Sequence, residues 1–266
     1  MPTLHTNGVN IHYQSYGSGS ETIVFSHGYL MNHKMFDAQI DALKSRYRII
    51  AFDHRGHGQS EKVRAKYGIY DLVDDAIGVI EQLVGESVHF MGMSTGGYVG
   101  VRLMVNRPDL LRSVVLMDTA GGDEPKAALR QYNLLLFLVR WLGIRAVYPK
   151  AIQILMGEDF RMDAARSAEY NAWKQSILAL DNRAVYRFGK AIFGRDSVLE
   201  QLRGNSIPTQ IIVGEQDVAT PIHKSEQLHA VLANSRLATI PNAGHTAPVE
   251  QPVAVTAIIK QFLREV

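Results

Sequence analysis

The stretch Val88-His89-Phe90-Met91-Gly92-Met93-Ser94-Thr95-Gly96-Gly97 decides the fold. Its first four residues form a short apolar run that predicts a buried strand, and residues 95–105 carry helical periodicity. Between them lies Gly92-Met93-Ser94-Thr95-Gly96, a G-x-S-x-G sequence in the strand–turn–helix context that such a motif requires. So tight a turn demands small residues two positions either side of the serine, hence Gly92 and Gly96. It would lift the Ser94 hydroxyl above a sheet edge and set it at a helix N-terminus, where backbone N–H groups favour developing negative charge. The competing reading is a glycine-rich turn with an N-cap serine, and the flanking elements argue against it.

Working outward, strands and helices alternate. Val9–Gln14 alternates in polarity and predicts an antiparallel edge strand. Thr22–Phe25, Arg48–Phe52 and Ser113–Met117 are short, apolar and rich in β-branched residues, so they predict buried strands. Residues 34–45 and 70–84 predict helices with one apolar face, the second through Leu72, Ala76, Val79, Ile80 and Leu83. After Gly121-Gly122 the alternation stops, and residues 124–194 show helical segments near 126–142, 145–156, 163–180 and 183–193. It resumes with a strand at Thr209–Val213, a helix at 222–232, a strand at 236–240 and a helix at 253–264. This order predicts βαβ units, a mostly parallel sheet covered on both faces, and a helical insertion between its two halves. The expected division is a core of residues 1–123 and 195–266 with a helical cap, or lid, at 124–194.

A serine hydroxyl needs a base to attack at neutral pH. Parallel strands all end at one edge, so loops after strands converge there. His245, in Pro241-Asn242-Ala243-Gly244-His245, follows the last strand and completes the chain order Ser, acid, His. His89 falls inside a strand, and His223 and His229 fall on or near a helix that leaves them solvated. The acid that orients the base is assigned to Asp217, which follows the strand 209–213. Asp118 and Glu215 are its rivals, and Asp118 is expected to brace the start of the lid.

The loop Ser26-His27-Gly28-Tyr29 follows the first buried strand. An oxyanion hole in this architecture takes one backbone N–H from that loop and one from the residue after the nucleophile, which assigns Tyr29 and Thr95. His27 is expected to be a hydrogen-bonded structural residue. In Asp53-His54-Arg55-Gly56-His57-Gly58-Gln59-Ser60 the two histidines tempt a metal reading. The irregular turn and the absence of a nearby ligand cluster argue against it, and an Asp53–Arg55 pairing is expected instead. No metal and no organic cofactor are expected.

Taken together, Ser26-His27-Gly28, the segment from Asp53 to Ser60, Gly92–Gly97, Val213-Gly214-Glu215-Gln216-Asp217 and Ala243-Gly244-His245 resemble the α/β-hydrolase family in its compact esterase and lactonase branch. The resemblance spans essentially the whole chain. It implies an eight-stranded, mostly parallel sheet flanked by helices with the lid after the sixth strand, and acyl transfer to water. Epoxide hydrolases and haloalkane dehalogenases of the family use a carboxylate nucleophile where this chain has Ser94. The family's carbon–carbon hydrolases commonly carry a tryptophan just after the histidine, where this chain has Thr246, and cofactor-free perhydrolases use the same triad.

Composition sets the remaining expectations. The 266 residues include no cysteine, which excludes disulfides and thiolate chemistry. A net charge of +2 argues against a nucleic-acid partner. Residues 124–195 nevertheless hold twelve Lys/Arg against six Asp/Glu, so the lid is basic, either as solvated helix faces or as an attraction for anionic substrates. The first residues have no apolar signal core, and the longest apolar run, Leu134–Val139, ends at Arg140. A cytoplasmic location without membrane partners is expected, with a small-molecule ester or lactone as substrate. Met93, Trp141 and Met156 are the expected pocket residues, because a helical lid needs an apolar underside and Met and Trp supply area.

Overall fold

The computed structural model describes residues 2–266. An eight-stranded sheet runs through the molecule, formed by β1 (Thr3–Thr6), β2 (Val9–Tyr16), β3 (Thr22–Ser26), β4 (Arg48–Phe52), β5 (Val88–Met93), β6 (Leu111–Met117), β7 (Thr209–Gly214) and β8 (Ser235–Ile240). Its order is β1-β2-β4-β3-β5-β6-β7-β8. β2 runs antiparallel to both neighbours, and every pairing from β4 to β8 is parallel. The eight strands, the parallel majority and the flanking helices are those the motifs implied. β1, four residues with three polar side chains, carries no pattern that marks it as a strand, and it forms only by pairing with β2.

The pleat divides the strand residues between two cores. Ile23, Phe25, Ile49, Ala51, Met91 and Met93 face one side, and Val24, Ile50, Phe52, Val88 and Phe90 face the other. Both faces are apolar because helices cover both. One layer includes α1 (Asp37–Leu43) and, at the C-terminus, α10 (Ala247–Glu250) and α11 (Pro252–Phe262). The other includes α2 (Ile69–Leu83) and α3 (Thr95–Asn106). Helix α9 (Ile222–Val231) packs against β7 and β8.

Between β6 and β7 the chain forms α4 (Lys126–Leu142), α5 (Ile144–Leu155), α6 (Glu158–Met162), α7 (Ser167–Leu178) and α8 (Asn182–Phe193). Gly143, at φ +85°, separates α4 from α5. The single helix expected over 163–180 is shorter than anticipated. The Asp163 side chain accepts the Ala165 amide at 2.8 Å, which starts a 3₁₀ turn ahead of α7.

Candidate active site

Six parallel strands end at the same edge of the sheet, and the loops that leave them carry the polar residues of the site. Ser94, after β5, has φ +51° and ψ −108°, a strained conformation for a residue with a side chain. Neighbouring contacts hold it there. Its amide donates to Met117 O at 2.8 Å, its carbonyl accepts Thr119 Oγ1 at 2.8 Å, and the Gly96 amide donates to His27 O at 3.1 Å. A Cβ on Gly92 would strike the backbone of Gly96, and one on Gly96 would strike Ser26, so both glycines are required by close approach.

His245 leaves β8 and reaches back over the sheet. Its Nε2 is 2.9 Å from Ser94 Oγ, and its Nδ1 is 2.8 Å from Asp217 Oδ2. The Asp217 carboxylate also accepts the amides of Ala219 at 2.8 Å and Thr220 at 2.9 Å through Oδ1, and Thr220 Oγ1 at 2.7 Å through Oδ2. Burial alone would push the Asp217 carboxyl up, but His245 and the Thr220 hydrogen bonds outweigh it and hold it below the usual carboxylate range. Asp217 is therefore an anion beside the imidazole.

The rival acids are elsewhere. Asp118 does not brace the insertion as expected. Its two oxygens accept the amides of Gly214 at 2.8 Å and Ala247 at 3.1 Å, so it fastens the end of β6 to β7 and α10. Burial, then the charge of Asp217, drives its carboxyl well above the usual range. Glu215 points to solvent.

The loop after β3 faces Ser94. Among the described residues, the amides of Tyr29 and Thr95 donate to no protein acceptor, and Thr95 begins α3 where no earlier carbonyl is within the helix. The Tyr29 hydroxyl donates to Val185 O at 2.8 Å, and its ring stacks on Phe188, tying this loop to α8. His27 is a structural histidine here. Its Nδ1 lies 2.7 Å from Gly28 O and its Nε2 accepts the His54 amide at 2.9 Å. Burial lowers its pKa to about 4 and that of His57 to about 3, so both are neutral. His57 Nε2 accepts the Leu30 amide at 3.2 Å.

The expected Asp53–Arg55 pairing is absent. Arg55 pairs with Asp75 on α2, and Asp53 accepts His33 N at 2.9 Å, His33 Nδ1 at 2.8 Å and Gln59 N at 2.9 Å. The Asp53 oxygens are committed to His33 and Gln59, and the carboxylate for Arg55 comes from another element. His12, His33 and Asp53 bring one ligand atom each within 4.8 Å of one another. The Asp53 oxygens already accept three N–H bonds there, which occupy the carboxylate as an anchor for the turn.

A cavity opens at Ser94 and His245, with about 790 Å³ of atom-free space including its mouth. Its walls are aliphatic, chiefly Leu135, Leu136, Val139 and Val147 from α4 and α5. Tyr98, Tyr132 and Glu124 are its polar lining away from the Ser94–His245 pair. Glu124 is held by Arg195 at 2.7 Å and Lys224 at 3.1 Å, and the Arg195 guanidinium lies 3.7 Å from the Tyr98 ring centroid. Burial pushes the Tyr98 hydroxyl up to about 12.

The three expected pocket residues fall outside this lining. Trp141 is 67% exposed on the outer side of α4, together with Leu134, Phe137 and Leu142. Met93 and Met156 are buried in the core beneath the cavity. Leu134–Leu138 is apolar on all sides, so the sequence gives no stripe that separates the inner face of α4 from the outer. Sequence reasoning also missed Thr220, Glu250 and the Glu124–Arg195 pair. Thr220 stands three residues after Asp217, the spacing of a local side-chain-to-backbone turn, which is the signal that could have found it.

A serine, a histidine and an ionised aspartate in hydrogen-bonded series beside an apolar cavity make a hydrolase site. The profile of the α/β-hydrolase fold matches residues 21–252, and the chain belongs to that family. Over 265 residues it is 29% identical to the uncharacterized hydrolase YugF of Bacillus subtilis, covering 97% of this chain and 96% of the relative. It is 27% identical to 3-oxoadipate enol-lactonase 1 of Acinetobacter baylyi over 252 residues, 92% of this chain and 89% of that one. Its structure is similar to that of a thermophilic esterase from Thermogutta terrifontis, with a TM-score of 0.90, 26% identity and coverage of 99% and 96%. The protein is thus a hydrolase of a small molecule, and among the described residues no helix is long and apolar enough to cross a membrane.

Proposed function

We propose that this hydrolase cleaves a carboxylic ester or lactone, acyl-homoserine lactones included, through an acyl-enzyme on Ser94. The observation that carries this reading is the continuous series Ser94 Oγ, His245 Nε2, His245 Nδ1 and Asp217 Oδ2, with links of 2.9 and 2.8 Å. His245 takes the Ser94 proton as Oγ attacks the carbonyl carbon. Charge collects on the carbonyl oxygen, where the Tyr29 and Thr95 amides donate to it. Asp217 holds the Nδ1–H tautomer and stabilises the imidazolium. His245 then protonates the leaving alkoxide, and a water repeats the sequence on the acyl-enzyme. This chain's own groups move every proton, so the mechanism calls for no cofactor.

Residues 124–194 act in this reading as a lid over a core of residues 1–123 and 195–266. The aliphatic wall that α4 and α5 contribute receives the apolar limb of the substrate. The esterase and enol-lactonase relatives support both leaving-group classes.

The test is a panel of short aryl esters, simple lactones, acyl-homoserine lactones and a vinylogous diketone, assayed with the protein and its Ser94→Ala variant. Turnover of esters or lactones that is lost in the folded variant is expected. Turnover of the diketone alone would replace this reading with carbon–carbon hydrolysis.

A further inference from the structure

One buried carboxylate serves no proton transfer in this mechanism, yet it grips the chain on both sides of His245. Glu250 is 1% exposed. Its Oε2 accepts the Gly244 amide at 2.8 Å, and its Oε1 accepts the Thr246 amide at 2.9 Å and Thr246 Oγ1 at 2.8 Å. A fourth donor comes from the helical insertion, where the Gly157 amide reaches Oε2 at 2.9 Å. Four donors fill the acceptor sites of a carboxylate. Gly157 lies in the turn between α5 and α6, and a Cβ there would come within 2.8 Å of Glu250 Oε2 and 2.9 Å of Gly244 N. A Cβ on Gly244 would in turn strike Gly157. The two glycines are therefore stacked with no room for side chains.

The same turn is tied to the other loop of the triad. Gln216, next to Asp217, donates through Nε2 to Asp159 Oδ2 at 2.6 Å. Arg166, ahead of α7, donates to the carbonyls of Glu250 and of Val249, the latter at 2.7 Å. Residues 157–166 of the insertion thus dock on the loops of both Asp217 and His245.

We propose that Glu250 is a positioning residue: one carboxylate fixes the His245 loop and seats the insertion at Gly157, so the docking of the insertion sets the His245-to-Ser94 geometry. This rests on the acyl-enzyme reading above. An amide in place of the carboxylate puts an NH₂ group against either the Gly157 and Gly244 amides or the two Thr246 donors. Turned toward the glycines it leaves two buried amides without an acceptor, and turned toward Thr246 it leaves the Thr246 amide without one, the hydroxyl being able to accept. The His245 loop then relaxes, and displacements of about 1 Å at a catalytic group cost on the order of a hundredfold in rate.

The experiment compares Glu250→Gln, Glu250→Asp and Gly157→Ala in the full chain. Folding is followed by circular dichroism and Tm, turnover with a short aryl ester, and Ser94 reactivity by the labelling rate with a fluorophosphonate. In Glu250→Gln, kcat and the labelling rate are expected to fall together by about 30-fold with KM within about threefold. Glu250→Asp recovers part of that loss. Gly157→Ala, which touches no group of the triad, lowers kcat by about tenfold through the collision at Oε2. A folded Glu250→Gln whose kcat and labelling stay within threefold of the parent overturns the proposal. Should that variant not fold, a folded Gly157→Ala with unchanged kcat does the same. Labelling of the parent at Ser94 separates the two claims, since a parent that neither labels nor turns over an ester removes the acyl-enzyme reading and this inference with it.

Discussion

Thr220 Oγ1 donates to Asp217 Oδ2 at 2.7 Å, the same oxygen that faces His245 Nδ1. The hydroxyl is also 3.3 Å from His245 Nδ1, so it sits in the angle between base and acid. Two residues thereby fix the rotation of one carboxylate. In Thr220→Val the shape is kept and the donor is lost. A hydrogen bond to a buried charge contributes about 1.5–3 kcal/mol, so kcat is expected to fall about tenfold with KM nearly unchanged. Steady-state kinetics on an aryl ester checks this, and unaltered kcat would mean that the two Oδ1 bonds suffice.

Ser94 holds a positive φ of 51° that only glycine adopts freely. Strain of this kind costs on the order of 1–3 kcal/mol and is tolerated because the hydroxyl must stand clear of the sheet. Ser94→Gly is therefore expected to be inactive and more stable, by about 1 kcal/mol in urea unfolding, whereas Ser94→Ala gains less because it retains a Cβ. A Ser94→Gly protein less stable than the parent would mean that the turn is not strained.

Acid should unfold the protein through its buried neutral histidines. His27 has a folded pKa of about 4 and His57 of about 3, both lowered from 6.5 first by burial. The unfolded chain takes up these protons sooner than the folded one. The stability contributed by neutral His27 and His57 is complete above about pH 6.5 and is lost as the pH falls toward their folded values. At pH 5 each accounts for a loss on the order of 2 kcal/mol. His57→Gln keeps an acceptor for the Leu30 amide without the titration, and its stability should fall less between pH 7.5 and 5. Equal pH dependence in the two proteins would contradict the assignment.

The two faces of α4 should differ in their effect on specificity. Val139 lines the cavity and Trp141 is exposed outside it. Val139→Phe fills space at the wall and is expected to lower kcat/KM for long acyl chains by about tenfold or more while sparing acetyl esters. Trp141→Ala should change neither by more than about twofold. The reverse pattern in a chain-length series would place the acyl limb elsewhere.

Much of the fold was legible because its signals are local. The elbow at Ser94 announces itself by a strand, two glycines and a helix within ten residues, and the pleat repeats every second residue along each strand. His245 and Asp217 could be ranked because parallel strands send their loops to one edge. Contacts made across the sequence were less visible. β1 is a strand only beside β2, and Arg55 finds its carboxylate on α2 rather than next door. Glu250 joins segments 93 residues apart at Gly157, which no local pattern records. The cavity lining was misassigned because an all-apolar run such as Leu134–Leu138 in α4 shows its inner face only once it is packed.

The central claim is an acyl-enzyme on Ser94, and intact-mass spectrometry of the protein quenched during turnover of a slow aryl ester tests it most directly. The account predicts a mass increase of one acyl group, mapped by peptide sequencing to Ser94 and abolished in Ser94→Ala. Turnover with no adduct at any quench time, or an adduct on another residue that persists in Ser94→Ala, would contradict it.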